Sequence, residues 1–155
     1  MSRAQMAGQL FRDGCACSQA VLVTYAEPLG LPRQTALQMA AGFAGGMRMA
    51  GTCGAVTGAL MVLGLRHAGD TAGNAAGRAA VYARVSEFTK RFQARYGSVT
   101  CKDLLGCDIS TTDGLKQAQE RGLFRTLCPG FVEGAGTILD EMEAEGQRPP
   151  GGGPA

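Results

Sequence analysis

Between Arg48 and Arg66 the chain runs seventeen residues without a charge. The later part, Thr52-Cys53-Gly54-Ala55-Val56-Thr57-Gly58-Ala59-Leu60-Met61-Val62-Leu63-Gly64-Leu65, restricts the fold more than any other stretch. Small residues recur in it four apart, Gly54 with Gly58 and Ala55 with Ala59. On a helix each such pair shares one face, and a face almost without side chains admits another backbone at close range. A membrane span needs about 20 apolar residues with interfacial aromatics. This shorter, glycine-interrupted run lacks those flanks and reads as a buried helix over 53–67, with no membrane insertion. Thr52 is read as its N-cap, which puts Cys53 in the first turn, where the helix dipole and free N–H groups stabilise a thiolate.

Helical spacing recurs along the chain. Met6, Ala7, Leu10 and Phe11 make one stripe of a helix over 2–13. Val21, Leu22, Tyr25 and Leu29 make another over 15–29, disturbed near its end by Pro28. Pro32 opens a third helix that runs to about Phe43. Val81, Val85, Phe88, Phe92 and Tyr96 mark a long helix over 77–96 that Gly97 stops. Thr100 caps a short piece over 101–106, and the cluster Ser110 to Asp113 starts a polar helix over 113–121, with 123–127 as a connector. In the last helix Cys128 takes the cap place and Pro129 the first helical position, with Phe131, Val132, Ala135, Ile138, Leu139 and Met142 inward. Strict alternation, the mark of a half-buried strand, is missing throughout. With 45% hydrophobic residues, 24 glycines, 6% aromatics and no Trp, the composition suits closely packed helices. The predicted fold class is all-α: a compact bundle of about six to seven helices with a buried Gly/Ala-rich central helix. One domain covers residues 1–145, and a disordered Pro/Gly-rich tail follows over 146–155.

A net charge of +2, without a basic run interleaved with aromatics, gives nucleic-acid binding no footing. Residues 1–14 have no apolar signal core or cleavage site, so the expected compartment is the cytoplasm. In a reducing compartment six cysteines are metal ligands, redox thiols or buried residues, not a disulfide scaffold. The single histidine, His67, excludes a Cys₂His₂ zinc site within one chain and is read as a partly charged partner of a helix C-terminus. The glycine-dense segment 42–51 is neither a P-loop nor a dinucleotide fingerprint, and is expected to bring backbone N–H groups near Cys53. Met47 and Met49 are read as core filling, with copper(I) ligation as the alternative.

Cys17, Cys53, Cys101 and Cys128 each fall at, or within about one turn of, a predicted helix start. Converging helix starts would surround the sulfurs with N–H donors, an environment for an iron–sulfur centre or a low-pKa thiol pair. Cys15 and Cys17, two residues apart, point apart on a helix. Cys101 and Cys107 flank a piece about 9 Å long, so sharing one ligand would need a tight turn. The candidate ligands are therefore Cys17, Cys53, Cys101, Cys107 and Cys128, with the subset open. Cys53 is also the candidate redox thiolate, with Cys101, Cys107 or Cys128 as its resolving partner.

The motifs Cys17-Ser18-Gln19-Ala20-Val21, Cys53-Gly54-Ala55-Val56-Thr57-Gly58, Cys101-Lys102-Asp103-Leu104-Leu105-Gly106-Cys107-Asp108 and Cys128-Pro129 occur in this order. In them the chain resembles the small redox-active bacterial proteins of the C_GCAxxG_C_C family, over nearly all of residues 4–142. The resemblance implies an all-helical domain with redox-active or metal-binding cysteines. It extends to the cysteine-bearing domain of split-Soret cytochromes, which implies an iron–sulfur centre. Without a C-x-x-C-H motif the chain has no haem attachment site. Cys101 and Cys107 both suit the third block, and Cys15 departs from the pattern. Four readings stand: electron transfer through an iron–sulfur cluster to a redox partner protein, thiol–disulfide exchange at Cys53, binding of zinc or copper(I), and a wholly structural one in which the cysteines are core residues. The Gly/Ala strip also suits a homodimer seam.

Overall fold

The structure, a computed structural model, describes residues 1–147. Its α-helices are α1 (Arg3–Arg12), α2 (Cys17–Ala26), α3 (Arg33–Ala40), α4 (Gly54–His67), α5 (Ala75–Tyr96), α6 (Cys101–Leu105), α7 (Thr112–Glu120), α8 (Leu123–Thr126) and α9 (Cys128–Gly146). Among the described residues the only β-type pairing is one antiparallel bridge, Thr52 with Thr100. The class is all-α, as the periodicity predicts.

Local chemistry accounts for most boundaries. Ser2 and Gln5 form a reciprocal cap at the start of α1: the Ser2 hydroxyl accepts from the Gln5 N–H at 3.1 Å, and the Ser2 N–H donates to the Gln5 side chain at 2.8 Å. Asn74, Thr100 and Thr111 cap α5, α6 and α7 in the same sense. Gly97 and Gly106 end α5 and α6 with φ of +85° and +70°. Three expectations shift. The second helix ends at Ala26, and Glu27–Leu29 tightens into a 3₁₀ turn around Pro28. The third ends at Ala40 and passes into a 3₁₀ turn at Ala41–Phe43. The connector after residue 122 is itself helical, as α8. The expected disordered tail lies, from residue 148 onward, outside the described residues, while Gly146 is still the last residue of α9.

The main core joins α1, α2, α4, α5 and α9 around Leu22, Tyr25, Leu63, Phe88, Phe92 and Ile138. Full burial of each such side chain contributes about 1.5–3 kcal/mol. The small-residue strip is used inside this core. A Cβ on Gly58 would stand 2.7 Å from the Ser18 carbonyl oxygen and 3.2 Å from the Val21 Cβ, so α2 and α4 touch almost backbone to backbone. Ser18, fully buried, donates its hydroxyl to the Ala40 carbonyl at 2.8 Å and pins the end of α3 to the start of α2. A smaller second core of Ala50, Leu105, Ile109, Ala118 and Leu123 gathers the short helices α6 to α8.

A polar lock ties α1, α2, α4 and α9 together. The Tyr25 hydroxyl donates to Asp140 at 3.0 Å, and Arg3 pairs with Asp140 and Glu143. Arg66, its side chain only 8% exposed, lies by the Tyr25 ring, donates to the Leu139 carbonyl at 3.2 Å and pairs with Glu143 at 3.4 Å. His67 falls in the last turn of α4, but burial first, then Arg84 and Arg66, push its pKa down. This lowering works against the partial charge expected of a histidine at a helix C-terminus. Among the described residues no helix is long and apolar enough to cross a membrane.

Candidate functional site

The four helix-start cysteines meet at one cavity. Cys17 is the first residue of α2, Cys53 is the N-cap of α4, and Cys101 and Cys128 open α6 and α9. All four line a cavity of about 180 Å³ whose remaining wall is mostly apolar, with Phe11, Leu104, Leu105, Ile109, Phe124 and Phe131. Cys53 and Cys101 are 7% and 8% exposed, whereas Cys17 and Cys128 are half-buried. The other two thiols stand outside this lining. Cys107 is buried in the second core beside Leu105 and Ile109, and Cys15 sits half-buried ahead of α2 against the main core. Cys107 still acts electrostatically on Cys101.

A device the sequence reading did not anticipate sets Cys53 beside Cys101. Thr52 is not the helix cap; it pairs with Thr100 in the antiparallel bridge. The Cys53 N–H donates to the Val99 carbonyl at 2.8 Å, and the Cys101 N–H donates to the Gly51 carbonyl at 2.6 Å. Two Thr-Cys steps, far apart in the chain, are thereby held side by side, each feeding a helix. The repeated Thr-Cys dipeptide was the signal available for this. Cys17 is fitted by a different contact: a Cβ on Gly54 would overlap its sulfur and lie 3.1 Å from the Ser18 nitrogen. Gly54 thus leaves the space that the Cys17 sulfur fills.

The segment between α3 and α4 builds the rim. Gly45, Gly46, Met47 and Arg48 are consecutive left-handed residues, with φ of +64°, +61°, +59° and +61°, and Ala50 follows at +55°. They close a wide turn in which the Gly51 N–H donates to the Gly46 carbonyl at 3.0 Å. For the three non-glycine residues this conformation costs about 1–2 kcal/mol each, an expense met mostly at working sites. Ala44, Gly45 and Arg48 of this segment line the cavity. The N–H groups that favour the Cys53 thiolate are those of Ala55 and Val56 at the start of α4, of which Val56 donates to the Cys53 carbonyl at 2.9 Å, and among the described residues no side-chain hydrogen bond caps the helix there. Met49 is 67% exposed, so it does not fill the core.

Burial reverses the expected thiol chemistry. Desolvation pushes the Cys53 thiol well above its ordinary range; the nearby Cys17 adds to this, and the two α4 N–H groups only partly oppose it. Cys101 is pushed up to about 11 by burial, then by Cys17 and Cys107, with Arg48 acting the other way. Cys128 is pushed up to about 12 by burial, then by Cys17 and Cys101. The free thiol of Cys53 is therefore not an activated thiolate, because the low-dielectric surroundings outweigh the helix start. Cys17 acts electrostatically on Cys53, Cys101 and Cys128, as sulfurs lining one cavity do. They do not meet at a point, however: among the described residues no group of three or more His, Cys, Asp or Glu side chains is placed to hold a metal ion. The sulfurs surround a volume.

The family model described as "Putative redox-active protein (C_GCAxxG_C_C)" matches residues 15–142, which include all six cysteines. No curated protein and no solved structure matches the chain.

Proposed function

The chain belongs to the C_GCAxxG_C_C family of redox-active proteins, and on that premise we propose that Cys17, Cys53, Cys101 and Cys128 hold an iron–sulfur cluster used for electron transfer. One observation carries the reading: four cysteines from four helix starts line one cavity of about 180 Å³ with mostly apolar walls. A single zinc ion requires its sulfurs about 2.3 Å from one point, and a group of that kind is not found among the described residues. Four sulfurs spread around a small volume suit a group that itself has volume. When bound, such a cluster supplies one-electron chemistry at a potential set by its surroundings.

The chain's own residues supply the rest. Cys53 and Cys101, at the buried end, anchor the group on the bridge-locked segments. Cys17 and Cys128 complete the ligand set nearer solvent. The Ala55 and Val56 N–H groups at the start of α4 favour negative charge on the Cys53 sulfur. Phe11, Phe124 and Phe131 give the cavity apolar walls that lower its dielectric, which disfavours added charge.

The test is anaerobic isolation or reconstitution of the full chain, with iron and sulfide assay and a visible spectrum. Bound iron and charge-transfer absorption are expected, lost on Cys→Ser replacement at 17, 53, 101 or 128 and kept in Cys15→Ser and Cys107→Ser. A colourless, iron-free protein after reconstitution refutes the cluster. Iron that depends on Cys107 but not on Cys101 refutes the ligand assignment.

A further inference from the structure

Among the described residues one charged side chain lines the sulfur cavity, Arg48. It is exposed, and its side chain folds back over Gly45: a Cβ on that glycine would stand 3.4 Å from Arg48 Nη1. Arg48 is itself one of the left-handed residues of this segment, with φ of +61°. Arg3, Arg12, Arg33, Arg66, Arg84, Arg91 and Arg95 are each paired with a carboxylate. Arg48, like Arg78, Arg121 and Arg125, has no such partner among the described residues, and it is the one of these that lines the cavity; its charge reaches Cys101 there, where Asp108 acts weakly the other way. No Asp or Glu shares the cavity wall with it. An exposed guanidinium without a carboxylate partner at the mouth of an apolar cavity favours negative solutes, an attraction that added salt weakens. Its planar set of donors matches a carboxylate or another oxyanion.

We propose that Arg48 makes the mouth of this cavity an entrance for small anions, so that the molecule exchanging electrons or reacting at the cavity sulfurs is a carboxylate or oxyanion. This rests on the cavity being the working site, and it sets the class of small molecule that reaches it. Arg48 is here a specificity-determining residue.

The test uses the reduced, metal-free full chain and two alkylating probes of similar size, iodoacetate, which is anionic, and iodoacetamide, which is neutral. In both reactions a thiolate sulfur displaces iodide, so their rate ratio at a given cysteine cancels the thiolate fraction. Rates are read by peptide mass at Cys17 and Cys101 at one fixed pH of about 9; reaction at Cys101, pushed up to about 11, is slow, but the ratio of the two probes there is not affected by that. The iodoacetate-to-iodoacetamide ratio is expected to fall about three- to tenfold in Arg48→Asn, the size of effect one nearby charge gives. Asn tolerates the left-handed backbone, and circular dichroism checks the fold. Arg48→Lys is expected to keep most of the ratio. In the unaltered protein the ratio is expected to fall as salt rises from about 10 mM to about 500 mM. Equal ratios in the unaltered protein and Arg48→Asn overturn the proposal. If Arg48→Asn fails to fold, a ratio indifferent to salt in the unaltered protein overturns it. Because this assay involves no cluster, it fails independently of the iron assay, which tests the ligand set alone.

Discussion

Gly54→Ala separates packing from site chemistry most sharply. The added methyl would overlap the Cys17 sulfur, and it would stand 3.1 Å from the Ser18 nitrogen and 3.3 Å from the Ala44 Cα. Carbon and its neighbours settle at about 3.5–4.0 Å. The sulfur, on a side chain with one rotatable bond, therefore has to move by about 1 Å or more, while the two backbone neighbours give only by shifting α2 and the rim. Overpacking of this kind costs about 1–3 kcal/mol, and the better helix propensity of Ala returns at most about 1 kcal/mol. The net expected loss is about 1–2 kcal/mol, or about 2–8 °C in Tm for a chain of this size. A ligand displaced beyond about 0.5 Å no longer serves a preorganised site, so iron and sulfide per chain after reconstitution should fall further than stability does. Gly64→Ala is the control on the same helix, where a Cβ meets nothing within 4 Å. It should be neutral or stabilising by up to about 1 kcal/mol, with full iron content. Combining Gly54→Ala with Cys17→Ala should recover part of the lost stability, because the sulfur is gone and the two backbone contacts remain. Gly54→Ala that is as stable and as iron-replete as Gly64→Ala would refute the argument.

Gly58→Ala should destabilise more than Gly54→Ala, by roughly 3 kcal/mol, because the obstacle is the Ser18 carbonyl oxygen at 2.7 Å and no rotamer change relieves it; denaturant titration of the two variants checks the order. Tyr25→Phe removes the hydroxyl's bond to Asp140 and should cost about 1–2 kcal/mol in the same titration, while alkylation of the cavity thiols stays unchanged. The pH dependence of the reduced, metal-free protein follows from Cys101, pushed up to about 11, and Cys128, pushed up to about 12. An acid whose pKa is raised by folding is held neutral in the native state, so its contribution is complete below the unfolded value, about 8.5, and is lost as pH rises through the folded one. Stability should therefore decline from about pH 8.5 upward, with Tyr25, also raised by burial, adding at higher pH. Cys101→Ala or Cys128→Ala should flatten that decline in chemical denaturation, and an unchanged slope would remove the thiols as its cause.

What the sequence determined by itself is local. The spacing of Val81, Val85, Phe88, Phe92 and Tyr96 makes α5 because helical periodicity belongs to one segment. Thr100 before Cys101 starts α6 because the threonine oxygen accepts the Asp103 N–H within the same turn. The small faces at Gly54 and Gly58 follow from a missing side chain, though only the structure shows that α2 is what lies on them. Cys101 and Cys107 look alike in the sequence, both beside a short helix. The bridge between Thr52 and Thr100 turns the Cys101 segment toward Cys53, and the packing of the second core encloses Cys107. Left-handed Met47, Arg48 and Ala50 break the ordinary preference of their residue types, so composition could not reveal the rim. The thiol energetics were equally out of reach. A helix start favours a thiolate through groups a few residues away, whereas desolvation sums over every element that closes the cavity. At Cys53 the sum is the larger effect, and only the tertiary structure contains it.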